Sequence, residues 1–310
     1  MTLFLIWHLK YMKKNILIAL LFLFTSQAYA NVSDSFNRMY NLQLASLDNV
    51  DQNQFKKQLQ MIYQQELADI IANKKFKNLS DIQLRELLRA TGIVNFHLSD
   101  EQYIVAMKMV FDELVQRNST KPMDYRLYYT ALVAARQFDQ ARQFAQNHPN
   151  ISLQSLPRIK FDTDLKLDQP AILKLNPDMT MSVQNFNLDL SEQVIIVAST
   201  GCGVSLRARD AIFKNKQIKG LLKPYTTWLE PQTGFLSAES IQEWSKDIDH
   251  QAELVVVYDQ SKFPQLGDWT MPTFYFLKNG KVVYQFSGWS EQGKWQELQQ
   301  GLEKINLSSE

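Results

Sequence analysis

The sequence predicts an α+β chain in two domains, an N-terminal all-α helical bundle and a C-terminal α/β sandwich on a mixed sheet. Three observations carry this. Over 31–150 apolar residues recur at three- and four-residue spacing, the period of a helix face. Over 169–310 the period drops to two or gives way to short unbroken apolar runs, as in strands. Between them, 151–168 holds Pro157 and little periodicity, and reads as a linker. The 310 residues, 45% hydrophobic and 21% charged, suffice for two domains of ordinary globular composition. A formal net charge of +1 gives no support to a nucleic-acid partner, which selects for a basic surface.

Residues 1–30 read as a signal peptide whose true start is Met12. Lys13 and Lys14 supply the positive charge, Ile16 to Phe24 a short apolar core, and Ala28-Tyr29-Ala30 an A-x-A cleavage site. The core is shorter than the roughly 20 residues of a membrane span. Export to the periplasm is therefore expected, with cleavage after Ala30 and with other exported proteins as partners. The membrane is a partner only where the segment stays uncleaved as an anchor.

In the helical part, Phe55, Leu59, Ile62, Tyr63, Leu67, Ile70 and Ile71 share one helix face. Ser80-Asp-Ile-Gln83 has the pattern of a capping box, with Gly92 as the stop of that helix. Ser99-Asp-Glu-Gln102 repeats the start signal before a stripe of Tyr103, Met107, Val110, Phe111 and Leu114. Two shorter helices follow near 124–136 and 138–147, closed by Pro149. Their stretch 127–149, with Ala131, Ala134, Ala135 and Ala141, resembles part of a tetratricopeptide repeat. No second copy accompanies it, and a plain bundle is the favoured reading.

In the second part, 171–175 and 179–184 alternate like edge strands, and Val194-Ile-Ile-Val-Ala198 is a strand buried on both faces. A helix follows Cys202. Leu254 to Tyr258 is another buried strand. Phe274–Leu277 and Val282–Phe286 make a hairpin around Asn279-Gly280, a type I′ signal. Gly293 to Leu302 suits a closing helix, and Trp228 and Trp244 fall in an insertion after the Cys202 helix.

Cys202 is the chain's one cysteine, so no disulfide forms within the chain. A thiol at the turn from strand to helix faces unpaired N–H groups and the positive end of the helix dipole, which favour the reactive thiolate. Arg207 and Arg209 stand nearby in sequence. Metal chemistry needs clustered Cys or His ligands. His97, His148 and His250 are scattered, so no metal is expected.

The order of elements, the turn Gly201-Cys202-Gly203-Val204-Ser205 after Val194–Ala198, and Met271-Pro272-Thr273 opening the hairpin resemble a thioredoxin-fold domain over about 180–305. The resemblance implies a cis peptide before Pro272, and a groove in which Gly201, Gly203, Met271, Pro272 and Thr273 receive an extended peptide beside Cys202. Trp269 is read as core packing, with a wall of that groove as the alternative. The departures are specific. Ser205 stands where the family has its second thiol, Ile196 where it has a buried carboxylate, and Gly201 where it has an aromatic residue. The resemblance thus implies a monothiol CxxS disulfide oxidoreductase, with Cys202 and Ser205 at the catalytic positions. No cofactor is expected other than glutathione or another external thiol as reductant. The alternative is a non-redox assembly or scaffold factor that uses a degenerate fold of this kind to bind proteins.

Overall fold

A computed structural model describes residues 32–46, 51–98, 100–246 and 253–307; the signal-peptide segment, Ser99 of the predicted helix start and His250 lie outside these. Two compact units emerge: Met1–Ala135 with Asn147–Leu153, and Arg136–Gln146 with Gln154–Glu310.

The first unit is helical. Helix α1 spans 32–45 and buries Val32, Ser35 and Met39. Helix α2, Gln52–Ile62, begins at Asp51, whose carboxylate accepts from the Asn53 and Gln54 N–H groups at 2.8 and 3.3 Å. It continues through a π turn at Tyr63–Leu67 into α3, Ala68–Ala72. The predicted stripe is its buried face, with Ile62 only partly covered.

Helix α4, Asp81–Leu98, opens on the capping box: the Gln83 side chain accepts from Ser80 N–H, and Ser80 Oγ accepts from Gln83 N–H. Gly92 does not end it. The helix runs six residues further, and Gly92 is buried where the Leu127 side chain would come within 3.1 Å of any Cβ. The glycine serves a close approach between helices. Helices α5, Glu101–Gln116, capped by Asp100, and α6, Pro122–Ala134, complete the unit.

The second unit takes helix α7, Phe138–Asn147, nearly whole, so the helical domain read over 31–150 extends past the first unit. Helices α6 and α7, read together as a partial tetratricopeptide-like unit, fall in different units.

Among the described residues eight strands form one mixed sheet: β1 (Ile159–Phe161), β2 (Ala171–Leu175), β3 (Met181–Asn185), β4 (Glu192–Val197), β5 (Thr226–Glu230), β6 (Leu254–Val257), β7 (Thr273–Lys278) and β8 (Lys281–Ser287), in the order β1-β3-β2-β6-β5-β4-β7-β8. Strands β4, β5 and β6 run parallel, and β7 returns antiparallel to β4. Three readings change. Strand β2 lies inside the sheet between β3 and β6, and the edge is β1, drawn from the stretch read as linker. Trp228 sits not in an insertion but in β5, a core strand between β4 and β6. The closing helix starts two residues later, because Gly293 has φ +83°.

The helices of the sheet are α8 (Gly203–Lys214), α9 (Lys216–Leu222), α10 (Ala238–Lys246) and α11 (Trp295–Lys304). The β7–β8 turn has φ +50° at Asn279 and +73° at Gly280, the positive pair that a type I′ turn requires. Ile195, Val197, Leu229, Val255, Val257, Tyr275 and Leu277 make one buried cluster with Phe263 and Leu266. Val194, Ile196 and Phe274 are buried as well, so the middle of the sheet is covered on both faces. This α+β layout sets β4, the Cys202 turn, α8, the β7–β8 hairpin and α11 in that order along the chain.

Candidate functional site

The parallel strands end together, and the site forms where β4 gives way to α8. Cys202 is the N-cap residue of α8, with extended backbone (φ −99°, ψ 108°). Its N–H donates to Ser199 O at 3.1 Å, and its carbonyl accepts from Leu206 N–H at 3.0 Å, the first bond of the helix. The thiol is partly exposed and donates to the Met271 carbonyl across 3.5 Å. Gly201 and Gly203 are both exposed on either side of it. The Arg207 guanidinium lies 3.9 Å from where a Cβ on Gly203 would sit. Arg209 is turned away: it is buried, paired with Asp210 at 2.7 Å and set over the Trp244 ring.

Ser205 is wholly buried one helical turn after Cys202, and its Oγ has no hydrogen-bond partner. A buried hydroxyl without a partner costs roughly 1–3 kcal/mol. Ile196 is buried apolar packing in β4.

The opposite wall is the Met271–Pro272 segment, whose peptide bond is cis. Met271 is 37% exposed and Pro272 is buried. A polar staple fixes this loop. Asp268 accepts from Thr270 N–H at 2.9 Å, from Thr270 Oγ1 at 2.7 Å and from Ser287 Oγ at 2.7 Å. The Pro272 carbonyl accepts from Gly288 N–H at 2.7 Å. Thr273 is fully buried, and its hydroxyl lies 2.7 Å from Thr270 O and 2.8 Å from Ser287 Oγ. Its side chain pins β7 to β8 and is not part of the open surface beside Cys202. Trp269 packs edge-on against Phe263 of the core.

Sequence reasoning passed over Glu230. This residue ends β5 at 4% exposure, and its carboxylate accepts from Ser199 Oγ at 2.6 Å and from Thr200 N–H. Burial pushes its pKa above the ordinary carboxylate value, against the pull of those two hydrogen bonds and the Arg136 charge. No local signal marked it: Thr-Thr-Trp-Leu-Glu has two polar residues and a charge, and only the pairing of β5 with β4 carries Glu230 to the turn. Asp-Trp-Thr at 268–270, by contrast, announces an Asx turn.

The arrangement brings Cys202, Gly201, Gly203 and Met271 to one surface, with Pro272 behind it. A thiolate there can attack a disulfide or an electrophile presented along the Met271 backbone. Among the described residues no group of three or more Cys, His, Asp and Glu is placed to hold a metal.

No known family's sequence profile matches the chain, and no curated protein matches it. Among solved structures, a thioredoxin-like protein from Bacteroides caccae is similar at 13% identity and a TM-score of 0.26, over 72% of this chain and 78% of that one.

Proposed function

We propose that this is an exported, periplasmic thioredoxin-like protein that engages other exported polypeptides through Cys202. The observation that carries the reading is the partly exposed thiol at the N-terminus of α8, 3.5 Å from the Met271 carbonyl. In the reaction, the Cys202 thiolate attacks one sulfur of a client disulfide. The client S–S bond breaks, a Cys202–client disulfide forms, and the other client sulfur leaves as thiolate. Ser205 cannot attack this mixed disulfide, so an external thiol such as glutathione must do so, returning the Cys202 thiolate. The product is a held or reshuffled client rather than a free oxidised centre.

The test is the rate of alkylation of Cys202 by iodoacetamide in the folded protein against the urea-unfolded chain. An accessible thiol reacts when folded within about tenfold of the unfolded rate. It then takes up one equivalent of glutathione from oxidised glutathione and gives it back to added thiol, and the Cys202→Ser variant does neither. Reaction only after unfolding would sink the thiol reading. It would favour the second one, an assembly or scaffold factor with an idle cysteine, for which the buried Ser205 at the second thiol position already speaks.

A further inference from the structure

Glu230 is a buried acid behind the turn that carries the thiol. A carboxylate taken out of water is costly unless its lone pairs are filled. Here the turn itself fills them, through Ser199 Oγ at 2.6 Å and the Thr200 N–H. Ser199 hands the connection on. Its Oγ accepts from Gly201 N–H at 3.3 Å, and its carbonyl accepts from Cys202 N–H at 3.1 Å. A chain of hydrogen bonds therefore runs from the end of β5 through Ser199 to the cysteine.

The Arg136 charge also acts on the carboxylate, and its guanidinium donates to the Val257 and Tyr258 carbonyls at the end of β6. Tyr258 and Asp259 are the other titratable groups in the Arg136 field. On the β4 side the carboxylate meets the Ser199 hydroxyl and the Thr200 amide.

We propose that Glu230 is a positioning residue that fixes the Cys202 turn against Met271–Pro272 while it is ionised, so that its protonation regulates the reactivity of the thiol. The proposal rests on the reading of Cys202 as a working thiol. The physical reason is donor–acceptor balance. Two donors already point at the carboxylate. A protonated carboxyl group is a weaker acceptor and adds a third donor, which competes with the Ser199 hydroxyl and loosens its orientation; the Gly201 N–H that rests on that hydroxyl loses its anchor, and the turn that carries Cys202 is less firmly held.

The experiment follows the reaction of Cys202 with methyl methanethiosulfonate in the full chain, from roughly pH 4 to 9. In that reaction the thiolate forms a disulfide with the methylthio group, and methanesulfinate leaves. Wild type should show two inflections, that of the thiol and a second on the acid side across which the rate falls about threefold beyond the single-thiol curve. Glu230→Gln removes the charge and Ser199→Ala removes the connection, so each should leave one inflection. A merely structural role lowers the whole curve without changing its shape. If Glu230→Gln loses its near-UV circular dichroism, Ser199→Ala decides the matter. A single inflection in wild type, or a second inflection kept in Ser199→Ala, overturns the role of Glu230 and leaves the thiol reading standing. A folded wild type inert at every pH overturns both.

Discussion

His97 shows how a single side chain can report on the helical unit. Its ring meets Phe55 edge-on at 4.7 Å, and its Nε2 lies 3.3 Å from the Gln43 amide nitrogen. The amide can only donate, so Nε2 accepts and the ring is neutral. Burial, with the Lys56 charge adding to it, pulls the His97 pKa from 6.5 to about 4. The unfolded chain therefore binds this proton first. The stability tied to the neutral ring is fully present above the unfolded value of about 6.5 and is lost as pH falls toward 4. We expect the urea midpoint to drop between neutral pH and pH 4, and to drop less in His97→Gln. Equal slopes in the two proteins would refute it. Glu230 has the opposite sign. Its raised pKa means that its contribution is largest at acid pH and declines as pH rises through the folded value.

Among the elements, α11 shows a choice that propensity alone would get wrong. Gly301 sits mid-helix, where alanine ordinarily gains about 1 kcal/mol. Here a Cβ would come within 2.2 Å of the ring of Phe276, a fully buried residue of β7. Overpacking of this kind costs roughly 1–3 kcal/mol. Gly301→Ala should thus destabilise by up to about 2 kcal/mol, read as a lower urea midpoint with an unchanged slope; a stabilised variant would refute the contact. The same contrast explains what was legible in advance. Strands β4, β6, β7 and β8 were visible because their apolar runs and the Asn-Gly turn are local signals. Strand β5 was not, because Thr-Thr-Trp-Leu-Glu has two polar and one charged residue, and its burial comes from neighbours on both sides. Strand β1 was missed for a like reason, being three residues long and partly exposed. At the site, Cys202 and Met271–Pro272 could be read as facing each other, whereas Glu230 reaches the turn only through the pairing of β5 with β4.

At the scale of the whole molecule, the division into units departs from the order of the chain. Residues 136–146 belong with the sheet although 147–153 belong with the helices. Arg142 donates to the Pro157 carbonyl at 2.8 Å, and Phe138 and Ala141 are buried. A fragment beginning at residue 151 would keep every strand and lose α7 with Arg136. We expect it to melt roughly 5–10 °C below a fragment beginning at residue 136, monitored by near-UV circular dichroism. Coincident melting curves would show that α7 adds nothing to that unit.

The Arg136 bonds to β6 also impose an order in time. Arg136 reaches a carbonyl 122 residues further along the chain. At 5–20 residues per second of synthesis, that carbonyl is made roughly 6–24 s after the arginine. For that interval Arg136 has been made and the β6 carbonyls that receive it have not. The sheet unit thus cannot close as its own segments appear: Arg136 is delivered early and must wait, uncommitted, for the end of β6.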